Sequence, residues 1–353
     1  MAKKNKYALD SPKGYIVPSY SDLKRKLWPM ALTLSNRTMC PGSVELYKNP
    51  EEEEPRRAVP LLITLDLHKH RELEYCVAKS AEFFTQHNQR ATYFVPAAYV
   101  RMYEPLAGTL RQARAMGHSV GCHGLNHTPD EDLGGLPPDR EFELLKEATV
   151  ILEDALGGPV TSFRAPSYRI SKRTLPILDE LGYKADLSVT PQHFPLFSST
   201  PFGFGRLLAP RSPYHPSDQS PLSRGNLKLL EIPTSCFVMP FAQATILAVP
   251  KFARNVMTPL LATEAKRFNR TFVLQLHPES VVGKDDWKFP PLRWTDFLPD
   301  RTGGFRFRYK FIERDCVRVQ TLTHKLLAGL RDEVGLKPMS VDDFLANGHR
   351  PVN

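Results

Sequence analysis

The sequence predicts an α/β fold in which parallel βαβ units close into a distorted barrel. Three observations predict it. Short apolar runs of strand length recur between residues 59 and 276, longer stretches with apolar residues at helical spacing separate them, and the most reactive polar side chains stand where the apolar runs end. A strand covered on both faces reads as an unbroken apolar run, and strand–helix alternation at this rhythm implies parallel pairing. In such a barrel, chemistry gathers at the C-terminal ends of the strands.

Val59–Leu65 is the first such run, and residues 71–87 carry Leu73, Val77, Ala81 and Phe84 on one helical face. Residues 91–95 read as a second strand, 97–116 as a helix, and 119–122 as a third, short strand. Pro138–Leu156 is a strongly amphipathic helix stopped by Gly157 and Gly158. Residues 161–166 give a fourth strand, 171–181 a helix, and 183–188 a fifth strand. The strands resume at 227–232, 244–249 and 271–276, with a helix near 251–268 and a long closing helix over 312–334. About seven βα units therefore fit one domain over 59–353. Two irregular inserts interrupt it, near 190–226 and 278–311. The first reads as part of a substrate wall, since long loops in compact domains usually cover sites. The second carries Trp287, Phe289 and Trp294, which suit stacking on a sugar or on another subunit. Residues 1–58 lack periodicity and read as an arm that packs on a neighbouring chain, which predicts a homo-oligomer.

With 353 residues, 41% hydrophobic and 24% charged, the chain has an ordinary globular composition. Five scattered cysteines, with no Cys-x-x-Cys, argue against a disulfide framework or a zinc knuckle. No apolar run reaches the roughly 18 residues of a membrane span, and no secretory apolar segment follows the basic N-terminus, so a cytoplasmic setting is expected. The net charge of +9 comes without a basic helix or a nucleic-acid-binding module, so no nucleic-acid partner is expected.

Asp66 and His68 follow the first strand, His123 and His127 the third, Arg164 the fourth; Asp186 lies on the fifth and His277 ends the last long strand. Strand alternation points Asp66 and His68 to one side and Leu67 to the other. Neutral imidazoles from separate strand ends can share a divalent metal. With a carboxylate, an arginine and a further histidine, the inventory suits metal-assisted hydrolysis. His118 reads as structural, Cys122 as packed within its strand, and His70 as a weaker metal ligand than His68 because it lies further from the strand end.

In order and spacing these residues resemble the NodB-homology polysaccharide deacetylases, carbohydrate esterase family 4. Thr64-Leu65-Asp66-Leu67-His68 is similar to the family's Thr-Phe-Asp-Asp-Gly, and His123-Gly124-Leu125-Asn126-His127 to its His-(Ser/Thr)-x-x-His. Arg164-Ala165-Pro166-Ser167 resembles Arg-x-Pro-Tyr with Tyr168 one place late, Asp186-Leu187-Ser188 the fourth motif, and Leu274-Gln275-Leu276-His277 the fifth. Arg164–Ser167 and Leu230–Ser235 look closest to the branch of intracellular peptidoglycan-deacetylase-like and allantoinase-like proteins.

The resemblance implies a NodB-type (β/α)7 barrel and a deacetylase acting on an N-acylated amino sugar or a small amide. It implies Asp66 as general base, Arg164 as its orienting partner, Asp186 as support for the arginine, His277 as general acid, and a backbone N–H after Pro166 as oxyanion donor. His123 and His127 would be metal ligands. The family's metal-binding aspartate is here Leu67, and His68 is the substitute with the right parity, which gives a three-histidine site suited to Zn²⁺. Two other readings stay open. One is an allantoinase-like hydrolase of a cyclic amide, with or without metal; the other is a catalytically silent carbohydrate-binding relative.

Overall fold

The computed structural model describes residues 58–193, 205–283 and 315–347. Among them a parallel sheet curls around an apolar interior. Its strands are β1 (Pro60–Asp66), β2 (Thr92–Val95), β3 (Ser119–Cys122), β4 (Ser162–Phe163), β5 (Ala185–Asp186) and β6 (Leu230–Glu231). They pair in that order. A small antiparallel hairpin follows, β7 (Cys236–Phe237) with β8 (Met239–Pro240), then β9 (Phe272–Leu276) and β10 (Lys337–Met339), both of which pair with β1. Among the described residues β6 and β9 share no ladder. The segment around the hairpin bridges the gap, with the Val273 N–H donating to Ser235 Oγ at 2.9 Å and the Gln275 N–H to the Phe241 carbonyl at 3.3 Å. The α/β class and parallel, curled sheet read from the sequence hold.

The strand alternation builds two cores. Leu61, Ile63, Leu65 and Leu67 point outward into a large cluster beneath the helices. Leu62 points inward to Phe94, Val273 and Met339, and closes the interior below the site. Thr64, Asp66 and then His68 continue the inward row towards the C-terminal end. That position at β3 has to be a glycine, because a Cβ on Gly121 would stand 2.6 Å from both the Phe94 ring and Ser162 Oγ.

The outer cluster is covered by α1 (Leu73–Gln86), α2 (Leu106–Ala115), α3 (Pro138–Leu156), α4 (Thr174–Glu180), α5 (Lys251–Arg267) and α6 (Cys316–Ala328). In α3 the buried Leu145, Ala148, Leu152 and Leu156 repeat at helical spacing. Pro138 opens it, and Gly157 at φ +67° closes it with an N–H to the Glu153 carbonyl.

Three elements differ from the sequence reading. The helix expected over 97–116 is two, Tyr99–Met102 and α2, with Pro105 at the start of the second. Residues 244–249, expected as a strand, are the helix Gln243–Ala248. Its buried Gln243, Ile246 and Leu247 share one face, and Val249 turns extended ahead of Pro250. The closing helix opens at Cys316 as α6 and continues as a π-helical turn over Gly329–Glu333, and β10 follows it. The arm at 1–58, apart from its last residue, and the aromatic trio Trp287, Phe289 and Trp294 lie outside the described residues. No helix among those described is long and apolar enough to cross a membrane.

Candidate active site

β1 delivers Asp66 and His68 to the C-terminal end of the barrel, β3 delivers His123, the loop after it His127, β4 Arg164, and β9 His277. Asp66, 5% exposed, accepts from Arg164 Nη1 at 2.9 Å, and the arginine is fully buried. The same Nη1 donates to Thr64 Oγ1 at 2.7 Å, and Nε to the Leu187 carbonyl at 3.2 Å. The guanidinium also lies 4.7 Å from the centre of the Phe94 ring. Three anchors and a ring face fix its plane, so its charge is aimed as well as present.

Burial alone raises the Asp66 pKa, but the charge of Arg164 and its hydrogen bond outweigh it and hold the carboxyl below the usual carboxylate range. Asp66 is therefore ionised at neutral pH and able to act as a base.

His68, His123 and His127 place one nitrogen each within 4.8 Å of one another. His123 donates Nδ1–H to the Arg164 carbonyl at 2.7 Å, which leaves Nε2 as the lone-pair nitrogen; that Nε2 is buried and has no hydrogen-bond partner. A second ring nitrogen tied to a carbonyl is the usual way a metal-binding histidine is oriented. Burial depresses the pKa of all three rings: His68 falls well below the usual histidine value, His123 to about 3, and His127 moves the same way. Neutral imidazoles converging on an unpartnered buried nitrogen fit a borderline-soft divalent ion such as Zn²⁺. Leu67 is fully buried in the outer cluster, so nothing from that position reaches the histidines.

His277 lies against His68, with ring centroids 4.2 Å apart, and its Nδ1 is 3.6 Å from Glu279 Oε1. Its backbone N–H donates to Gln243 Oε1 at 2.7 Å. Of the seven residues expected here, Asp186 alone makes no direct contact with the rest. Its carboxylate takes the Ser188 N–H and O–H, and the same Ser188 Oγ accepts the Ala165 N–H. Its hold on the arginine runs through the neighbouring backbone and through its charge, which adds to that of Asp66 at Arg164. His118 is structural as expected: Nδ1 accepts from the Ala91 N–H, so Nε2 carries the proton that faces the Ala81 carbonyl. Cys122 is packed in the outer cluster. His70 Nδ1 accepts the Glu72 N–H at 3.2 Å and belongs to the start of α1.

Sequence reasoning missed two acids. Glu131 accepts the Asn126 N–H at 2.7 Å, the His127 N–H at 2.9 Å and the Asn126 side-chain amide, and so holds His127 in the left-handed conformation, φ 58°. Glu231 lies buried beside Asp186 in the neighbouring strand. The spacing of Glu131 four residues after His127, and a carboxylate inside the apolar run 229–232, were the available signals.

A family model for polysaccharide deacetylases matches residues 58–185. FGM2 of Gibberella zeae, described as a peptidoglycan deacetylase-like protein, is 28% identical over 105 residues, which cover 29% of this chain and 28% of that protein. The similarity thus spans 28% of the relative's length. Among solved structures, a Mycobacterium smegmatis protein assigned as a polysaccharide deacetylase aligns with 86% of this chain and 94% of its own, at 15% identity and a TM-score of 0.47. A Bacillus anthracis pseudoenzyme of carbohydrate esterase family 4 aligns over 82% and 66%, at 12% identity and a TM-score of 0.43.

Proposed function

Because the family model for polysaccharide deacetylases matches residues 58–185, we propose that the protein is a metal-dependent hydrolase that removes an acyl group, N-acetyl in the simplest case, from an amino sugar or related amide. The observation that carries this reading is the three-histidine cluster with its unpartnered His123 Nε2, set beside an ionised Asp66.

In this reading His68, His123 and His127 hold a divalent metal, Zn²⁺ by ligand chemistry. The ion, when bound, polarises the amide carbonyl and acidifies water. Everything else falls to the chain's own groups. Asp66 takes a proton from the attacking water, and Arg164 keeps that carboxylate charged and aimed. His277 gives a proton to the departing nitrogen, so that a neutral amine leaves rather than an amide anion. The N–H that follows Pro166 belongs to Ser167, the first of two consecutive left-handed residues (φ 53° and 56°), and would donate to the developing oxyanion.

Elemental analysis of protein purified without chelator, combined with turnover on N-acetylated sugars and cyclic ureides, tests the proposal. About one Zn²⁺-like ion per chain, lost in His123→Ala and much weakened in His68→Ala, is expected. Unchanged metal content in both variants would sink the three-histidine site. Turnover confined to cyclic ureides would turn the reading to the allantoinase-like reaction. Leu67, at the place of the family's ligand, favours a second reading, a silent carbohydrate-binding relative, and a wild type that binds sugar but hydrolyses no amide would select it.

A further inference from the structure

Asp186 and Glu231 stand opposite each other in register on β5 and β6, and both are fully buried. Parallel partners in register point to the same side of the sheet, and the two carboxyls are within hydrogen-bonding reach of each other. Asp186 has both oxygens occupied, Oδ1 by the Ser188 hydroxyl at 2.6 Å and Oδ2 by the Ser188 N–H at 3.1 Å. Glu231 Oε1 accepts the Val189 N–H at 3.0 Å, while Oε2 is buried with no donor from the rest of the protein. Two ionised carboxylates cannot bond to each other, and a buried acceptor without a donor is destabilising. One proton removes both problems.

We propose that Asp186 and Glu231 share a single proton, carried on Glu231 Oε2 and donated to Asp186, and that this acid couple is the positioning device for Arg164 and the turn at 165–168. The couple fixes the segment 187–189 by three hydrogen bonds. That segment returns the Leu187 carbonyl to Arg164 Nε and the Ser188 Oγ to the Ala165 N–H. Arg164 thus reaches Asp66 from a frame that the buried acids hold. Charge agrees. Two cations, Arg164 and Arg206, face the couple, with the Tyr214 phenol beside it, and Arg164 is shared with Asp66 through Nη1. Burial first, then the Asp186 charge, drives the Glu231 pKa well above the usual carboxylate range, and burial raises that of Asp186. Tyr214 exchanges backbone hydrogen bonds with Glu231 at 3.0 and 2.8 Å and covers the outer side. The shared proton stands on this geometry alone; the positioning role rests on the function proposed for Arg164.

Glu231→Gln reproduces the neutral acid in shape, with an N–H for Asp186 and an oxygen for Val189, whereas Glu231→Leu removes both. Infrared spectroscopy at neutral pH should show a protonated-carboxyl band in the wild type that Glu231→Gln lacks. Above the unfolded pKa of a glutamate, unfolding the wild type releases the proton. Its unfolding constant should therefore rise about tenfold per pH unit relative to Glu231→Gln between about pH 5 and pH 7. No such band, or parallel pH dependences, would overturn the shared proton. For positioning, exchange of the Arg164 Nε–H by NMR should be slow in the wild type and Glu231→Gln and at least about tenfold faster in Glu231→Leu. Should Glu231→Leu not fold, Ser188→Ala cuts the same link to Ala165 and should speed that exchange likewise. Equal exchange in all folded variants would overturn the positioning role. With a substrate in hand, Glu231→Gln should keep kcat within about threefold and Glu231→Leu lose about tenfold or more at unchanged KM. A wild type without turnover would count against the proposed function, and the band and the exchange rates would still decide the couple.

Discussion

His123 donates its Nδ1–H to the main-chain carbonyl of Arg164 at 2.7 Å, while the side chain of the same Arg164 holds Asp66 at 2.9 Å. One residue therefore orients the histidine through its backbone and the carboxylate through its guanidinium. Substitution separates the two services. Arg164→Lys keeps the charge but loses the fork and the Nε–H bond to Leu187, so Asp66 should stay ionised and be mis-aimed, with kcat down by about 10². Zn²⁺ affinity should stay within about threefold, because the carbonyl remains. Arg164→Met leaves Asp66 buried and unpaired and should cost about 3–5 kcal/mol of stability. Chelator competition beside steady-state kinetics checks the split; a parallel loss of metal and kcat in Arg164→Lys would contradict it.

Glu131 offers a second separation. It touches neither the ring nitrogens of the three-histidine cluster nor Asp66, yet it accepts the N–H groups of Asn126 and His127. Glu131→Ala should free the 126–127 backbone and weaken Zn²⁺ by about 10–100-fold, the usual effect of losing a group that orients a ligand. Glu131→Gln keeps an acceptor and should fall between. Titration against a chromophoric chelator reads the affinities, and equal values for all three proteins would remove Glu131 from the site.

How much of this was legible in the sequence follows from the physics of each element. The alternation of Leu65, Asp66, Leu67 and His68 was readable because a strand has a period of two, and the structure keeps Leu67 out of the site for that reason. Helix α3 was readable to the residue, since proline, acidic first turn and terminal glycine all mark its ends. Residues 244–249 were not: a short apolar run has no periodicity that tells strand from buried helix. β10 escaped because Lys337, Pro338 and Met339 form a strand only through pairing with Pro60–Leu62, and proline argues against a strand locally. Glu131 and Glu231 escaped because what they do is accept hydrogen bonds from backbone whose path the sequence does not state. Asp186 was found, but its indirect route to Arg164 through Ser188 depends on the β4–β5 register.

His118 gives a stability prediction away from the three-histidine cluster. It is buried, and its Nδ1 accepts the Ala91 N–H, so the ring can take a second proton only by losing that bond. Burial lowers its pKa, and the Ala81 carbonyl only partly offsets the shift. The sign follows. Above the unfolded histidine value near 6.5 both states are neutral and nothing is lost. Below it the unfolded chain takes up a proton that the folded chain resists, so stability falls as pH drops, by at most about 1.4 kcal/mol per pH unit for this one group. His118→Asn should be less stable at pH 7 but lose less on going to pH 5. Urea unfolding of both proteins in chelator measures it, and the buried site histidines, common to both, cancel in the difference. Identical slopes would mean that His118 titrates normally in the fold.

Asp66 and His277 decide whether the site is catalytic. Asp66 is ionised and held by Arg164, and His277 lies against His68 on the neighbouring strand. If one takes a proton from water and the other gives one to the leaving nitrogen, their losses differ in kind. Asp66→Asn keeps an oxygen for Arg164 and nearly the same volume, so the fold and the metal should remain while kcat falls by about 10²–10⁴-fold on every substrate. His277→Ala should lose a similar factor on amides whose amine leaves poorly and much less on those with a good leaving group, because a group that departs readily needs no proton in the transition state. Neither residue is needed to hold the ground-state substrate, so both effects should appear in kcat with KM little changed. A series of N-acyl substrates graded by leaving-group pKa, run on the wild type and both variants with metal content verified, measures this. If the His277→Ala loss is constant along the series, His277 is not the general acid; if Asp66→Asn turns over as the wild type does, the base is elsewhere.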